Sequence, residues 1–246
     1  MNPEVVEKLT LLNRQFYQDF ALHFSDTRLR LQPGIRKIIE RLPGDLCALD
    51  LGCGNGSLAC ALVSSSRTGH YLGMDFSDTL LEIARDRVAA VGSGESLITT
   101  KWLKADLTDR DWTQAVSALA YSEIFAFAVL HHIPGADTRL ELLKSLRRLI
   151  QDGGQLYLSN WQFLNSERLR GRILPWEMVG LEDGQLDRED YLLDWRRGGL
   201  GLRYAHHCSQ PELDQLAQES GFRVADVFLS DGKQGRLGLY NIWVAD

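Results

Sequence analysis

The chain has 246 residues, 44% of them hydrophobic, enough to bury a full core as one large domain or one domain with an insertion. No segment approaches the roughly 18 apolar residues of a membrane span, and the opening "MNPEVVEKLT", with two glutamates, lacks the apolar run of a secretory signal. A net charge of −6 argues against gripping nucleic acid through bulk charge alone.

Residues 1–44 read as an N-terminal helical segment of two helices, "PEVVEKLTLLNRQFYQDFALHF" and "GIRKIIERL". From residue 45 to 246 strands and helices alternate. "CALDL" (47–51) reads as a short buried strand and "SLACALV" as the helix after it. "HYLGMDF" (70–76) is the second strand, followed by a helix that Ser77 or Asp78 can cap. "SLITTKWLKAD" (96–106) is the third, and "DWTQAV" a short helix. "YSEIFAFAVLHH" (121–132), almost continuously apolar, reads as a fourth strand buried on both faces. A helix with Leu140, Leu143, Leu146 and Ile150 on one side leads to the fifth, "GQLYLSNW" (154–161). Residues 161–209, rich in Trp, Arg and acids, lack clean periodicity and read as a substrate-side insertion. A helix (210–221) and two strands joined by "SDGKQG" close the chain. The pattern predicts an α/β fold: a Rossmann-like, seven-stranded, mostly parallel sheet ending in an antiparallel hairpin. The four cysteines form no C-x-x-C pair; three of them, in the first strand and helix region, read as small buried thiols, and a reduced, cytoplasmic compartment fits.

Ligands of such sheets bind beyond the carboxyl ends of the strands, which puts "LDLGCGNG" at the expected site. Its glycines, Gly52, Gly54 and Gly56, follow G-x-G-x-G rather than the dinucleotide spacing, and no G-K-[ST] follows for a triphosphate. Asp50, just before them, would repel a pyrophosphate but pairs well with an ammonium group. Asp75 ends the second strand, where an acid can accept both ribose hydroxyls. Asp106 ends the third, placed to accept from an adenine amine. Ammonium, ribose and adenine in that order describe S-adenosylmethionine, with its methionyl carboxylate against the helix N-terminus after the glycines. Cys53, Phe76, Leu107 and Ala128, beside these positions, complete the expected cofactor contacts. A structural account, in which glycines only turn the chain and acids only cap helices, must explain three acids at three successive strand ends.

"LDLGCGNG", "GMDFS" and "KAD" resemble the class I S-adenosylmethionine-dependent methyltransferase family over most of residues 45–160 and 210–246. "YQDFALHFSDTRLRLQPGI", "AVLHHI", "DYLLDWRR" and "LRYAHHCSQPELDQLAQESGF" are similar to a narrower group, the wobble-uridine tRNA methyltransferases. That resemblance implies esterification of a carboxymethyl group on the anticodon base and a small activator protein as partner. Such a carboxylate is already an anionic nucleophile, so transfer needs alignment and desolvation rather than a general base. An arginine fork suits its two oxygens. Arg28 is the first candidate and Arg203 the second; a surface ion pair with Asp26 or Asp19 is the plainer account of Arg28.

His131 and His132 fall at the carboxyl end of the fourth strand, beside the methyl group. Adjacent strand residues point opposite ways, so one is expected to line the site. His206 and His207 show no third and fourth ligand at suitable spacing, and no metal is expected. Trp161, Trp176 and Trp195 can stack a base or pack a core. Residues 1–40 carry six Lys/Arg against five acids, and 161–209 seven against eight, so the −6 lies elsewhere. With so little positive charge, tRNA binding is expected to be weak and to use few phosphate contacts. A small-metabolite methyltransferase and a non-catalytic cofactor-binding module serving a partner are the alternatives.

Overall fold

The computed structural model describes residues 1–27, 30–92, 96–109, 111–116 and 120–246, and no side chain at 24, 26 or 27. The main sheet comprises β1 (Asp45–Leu51), β2 (Thr68–Asp75), β3 (Leu97–Lys104), β4 (Tyr121–Phe127), β5 (Ile150–Trp161), β9 (Phe222–Ser230) and β10 (Gly238–Ala245). Their order is β3-β2-β1-β4-β5-β10-β9. Strand β10 runs antiparallel to both β5 and β9, and the other pairs are parallel, as the sequence predicts.

Both faces are covered. Leu49, Ile124, Ala126, Leu156 and Leu158 meet α5 (Ala136–Leu149) and α7 (Gln210–Ser220) through Leu142, Leu143, Leu146, Leu213 and Leu216. On the other side Ala48, Tyr71, Phe125, Tyr157 and Tyr240 meet α2 (Pro33–Ile39), α3 (Ser57–Val63) and α4 (Asp78–Val91). This is why the strands read as unbroken apolar runs. Of the two cap candidates, Ser77 is the N-cap of α4 and accepts from the Leu80 amide.

Two expectations are corrected. The fourth strand does not reach residue 132. It ends at Phe127, Ala128 takes a left-handed φ of 58°, and Leu130–His132 form a 3₁₀ turn. An unbroken apolar run carries no signal for that break, because a β-branched or apolar sequence does not announce one residue in the left-handed region. The second correction lies within 161–209, which holds its own antiparallel sheet of β6 (Ile173–Leu174), β7 (Asp190–Trp195) and β8 (Gly201–His206), preceded by α6 (Glu167–Arg170). Its period is hidden because both faces are packed. Leu192 and Tyr204 join Val5 and Leu9 of α1 (Pro3–Thr27), while Leu193 and Ala205 join Phe163 and Leu169.

This second sheet is tied to the helices below it by a buried ionic network. Arg139 of α5, with a side chain 1% exposed, pairs with Asp187 and Glu212 at 3.3 Å each and donates to the Ile133 carbonyl. His206 of β8 spans Asp190 at 2.7 Å and Glu212 at 2.9 Å. Burial opposes its charged form, but those two hydrogen bonds prevail and raise its pKa. A guanidinium that answers two acids cannot be removed cheaply, since each acid is left short of its counter-charge. Arg139→Met is therefore expected to cost about 3–5 kcal/mol of unfolding free energy in urea titration. A cost below about 1 kcal/mol would show that the network contributes nothing net to stability.

Candidate active site

The strand order reverses between β1 and β4, and a cavity of about 300 Å³, the lower end of small-ligand pocket sizes, opens at their carboxyl ends. The turn after β1 forms one wall. Gly52, Gly54 and Gly56 all have left-handed φ, and at Gly56 a Cβ would lie 2.8 Å from the Ala84 Cβ of α4. Gly56 thus seats the turn on α4 and does not line the cavity. The other expected cofactor residues do: Asp50, Gly52, Cys53, Gly54, Asp75, Phe76, Asp106, Leu107 and Ala128.

The three acids sit in different surroundings. Asp50 is 4% exposed and accepts from the Tyr71 hydroxyl. Burial outweighs that bond and pushes its carboxyl up to about 7, and no cation among the described residues pairs with it. Asp75 accepts from the Gly54 and Ser77 amides at 3.0 and 2.9 Å, so it also holds the glycine turn against β2. Burial pushes it up to about 6 against those two bonds. Asp106 is half-buried, paired with Arg14 of α1 at 2.6 Å and bonded to Thr108. Two buried carboxylates without a counter-cation, facing one cavity, suit a cationic ligand with hydroxyl donors. S-adenosylmethionine has that chemistry.

The far end of the cavity is built from the 3₁₀ turn, β5, β8 and α1. Because His131 and His132 lie on that turn rather than a strand, both line the cavity, with ring centroids 4.3 Å apart. Their partners assign opposite tautomers. The Trp161 amide donates to Nδ1 of His131. Nδ1 of His132 faces the Tyr204 carbonyl, an acceptor, so it carries the proton and Nε2 accepts from Tyr17 at 2.7 Å. Arg203 is 7% exposed, lines the cavity, and lies over Trp161 at 4.5 Å, with Phe16 and Trp195 at 5.4 and 5.5 Å. Trp161 and Trp195 are therefore beside the candidate arginine, whereas Trp176 packs in the core with Leu9 and Leu192. Arg28, the first candidate for the acceptor, lies outside the described residues.

Sequence reading missed the part that α1 plays. Asn13 donates to the His132 carbonyl and accepts from the Tyr204 amide, while Arg14 and Tyr17 reach Asp106 and His132. The available signal was a polar Asn13 in the buried stripe of Leu9 and Phe16. His206, Cys208 and Glu212 bring ligand atoms within 4.8 Å of one another, a grouping the spacing argument overlooked. Both His206 nitrogens are engaged by carboxylates and Arg139 lies 3.3 Å from Glu212, so the cluster is an ionic network.

A family model described as "Methyltransferase domain" matches residues 49–156. The chain is 26% identical over 219 residues to a Mus musculus protein named probable tRNA methyltransferase 9B, covering 86% of this chain and 41% of that protein. It is 29% identical over 164 residues to the Mus musculus tRNA (carboxymethyluridine(34)-5-O)-methyltransferase ALKBH8, covering 64% of this chain and 22% of that protein. The chain thus spans less than half the length of either relative. A solved S-adenosylmethionine-dependent methyltransferase from Methanosarcina mazei superposes with a TM-score of 0.66 at 22% identity, covering 88% of this chain and 99% of that one, which shows the fold.

The raised carboxyl of Asp50 makes cofactor binding depend on pH with a definite sign. In the free protein the group is protonated below about 7, and a cationic ligand favours the ionised form. Calorimetry is expected to find S-adenosylmethionine bound more tightly at pH 7.5 than at pH 5.5, with protons released on binding between those values. Asp50→Asn is expected to bind more weakly at both and to keep only the smaller pH dependence that Asp75, raised to about 6, contributes. Affinity that is unchanged across this window would remove Asp50 from the ligand's surroundings.

Proposed function

We propose that this chain, which matches the methyltransferase-domain model over residues 49–156 and shares the fold of a solved S-adenosylmethionine-dependent methyltransferase, is a class I enzyme of that kind and O-methylates a carboxylate on the wobble uridine of a tRNA. One observation carries this reading: the cofactor turn and a buried, aromatic-flanked arginine, Arg203, line the same cavity with two histidines between them in the chain's path. When bound, the cofactor supplies an electrophilic sulfonium methyl. Everything else falls to the side chains. Arg203 presents a planar fork to two oxygens, and its aromatic neighbours keep that fork oriented and exclude water. A dehydrated carboxylate needs no deprotonation, only a short approach along the methyl axis. His131 and His132 line the same cavity, and with one lone pair facing the Trp161 amide and the other Tyr17 they are not required as bases.

The names of the relatives at modest identity support the tRNA substrate, and residues 1–40 and 161–209, near neutral in sum, leave the acceptor side less negative than the rest. Arg28 keeps its proposed place beside the acceptor on the strength of the "HFSDTR" resemblance. A small activator protein is part of the proposal, so assays run with and without one.

Two measurements test it. With labelled cofactor and bulk tRNA, methyl ester is expected only on tRNA carrying the carboxymethyluridine modification. Label on a small-acid extract, with none on either tRNA, would move the protein to the metabolite enzymes; no turnover on any acceptor would favour a binding module. In the second, Arg203→Lys is expected to leave S-adenosylmethionine affinity within about twofold and to cut methyl transfer at least tenfold, because the lost fork acts on the acceptor alone. Equal loss of both would make Arg203 a support of the cofactor.

A further inference from the structure

Three basic stretches that lie far apart in the sequence meet beside one side of the cavity mouth. Residues 161–172 hold Arg168, Arg170 and Arg172 against Glu167, residues 194–197 hold Arg196 and Arg197 against Asp194, and residues 231–237 hold Lys233 and Arg236 against Asp231. Seven cations against three acids give +4 in a chain of net −6, so the remainder carries −10.

Hydrogen bonds join the three. The Gln162 amide donates to the Leu237 carbonyl at 2.9 Å, and the Asn165 side chain donates to the Arg236 carbonyl at 2.9 Å. The Asp194 amide donates to the Arg172 carbonyl at 3.0 Å. Trp161, Asp231 and Leu237 from these stretches line the cavity itself, which fixes the patch at its mouth.

Two of the three acids are already engaged within the protein. Asp194 is 3% exposed and lies between Arg172 and Arg196, and Asp231 accepts from the Gly34 amide and the Tyr240 hydroxyl. Arg168, Lys233 and Arg236 are exposed, and no acid among the described residues pairs with them. The opposite rim, at the ends of β2 and β3, differs: its Lys104 and Arg14 are already paired with Asp78, Asp106 and Asp109.

We propose that this rim, formed by α6 with its flanking turns and by the β9–β10 turn, holds the phosphate backbone of an RNA acceptor, which enters over α6 and away from β3. The proposal rests on the tRNA reading above and gives it a surface and a direction. Exposed arginines and a lysine on short, packed turns can track a backbone. Few contacts of this kind are available, so affinity is modest and strongly salt-dependent. A phosphate chain approaching over the other rim would find its cations occupied.

The test uses the full chain and bulk tRNA, with binding measured from about 50 to 200 mM KCl. Arg168→Glu with Arg236→Glu alters the rim; Lys101→Glu with Arg148→Glu makes the same change in net charge on exposed positions of β3 and α5. The rim pair is expected to weaken binding at least tenfold at low salt and to flatten the dependence of log K on log salt by about 1.5, the share of two phosphate contacts. The control pair is expected to stay within about threefold, and S-adenosylmethionine affinity to be unchanged in both, which reports intact folding. Equal losses in the two pairs, or no loss in the rim pair, overturn the surface while leaving tRNA methylation by the unaltered chain standing. An unaltered chain that neither retains nor methylates tRNA but esterifies a small acid overturns the tRNA reading, and the rim with it.

Discussion

The site depends on one side chain that behaves like a piece of backbone. Asn13 of α1 donates to the His132 carbonyl and accepts from the Tyr204 amide, joining the turn after β4 to strand β8. Two otherwise orphaned backbone groups in a buried region are satisfied at once, which is worth far more than a surface hydrogen bond because the alternative is their desolvation without a partner. The apolar contact between α1 and the second sheet is non-directional and by itself fixes no register. With the Asn13 clasp, Tyr17 and Arg14 fall at set positions along the same helix, one over His132 and the other over Asp106. The Asp106 end and the histidine end of the cavity are thereby referenced to a single rigid element.

Electrostatics in the cavity follow from the same enclosure. Carboxylates at the ends of β1 and β2 would be unremarkable in water; covered by α1 and the glycine turn, they are held far from their ordinary range by burial. A buried carboxylate without a counter-charge is a cost that the fold carries until a cation arrives, so the free protein is strained toward its ligand. Arg203 shows the opposite arrangement, a cation enclosed by three rings whose faces are negative. Ring faces steady a guanidinium without using its N–H edge, the edge that recognises an oxyanion. One cavity thus offers negative charge at one end and a directed positive group at the other.

What the sequence made legible is what depends on chain-local pattern. The order of the strands, the G-x-G-x-G turn and the acids at 50, 75 and 106 beside the strand ends were readable, because each is set by residues within a few positions of it. The break at Ala128 was not, and it changed the site most: as strand residues His131 and His132 would face opposite ways, whereas on a 3₁₀ turn both reach the cavity. The second sheet was invisible for another reason. Its strands are packed on both sides by α1 and by the Phe163 cluster, so no polar alternation marks them. Contacts between Asn13 and residues 119 and 191 positions away lie beyond any pattern argument.

These features bear on which nucleophile the cavity favours. A hydroxyl or amine acceptor needs a base with an unshared pair aimed at it. The Nε2 lone pair of His132 is taken by Tyr17, and the Nδ1 lone pair of His131 by the Trp161 amide. Nδ1–H of His132 donates to the Tyr204 carbonyl, so in these tautomers neither ring presents an untaken lone pair with which to remove a proton. Arg203 on the same wall is a donor only. A wall without an available base suits an acceptor that arrives already anionic better than one that must first be deprotonated. The tautomers thus support the proposed carboxylate acceptor on grounds independent of any relative's name.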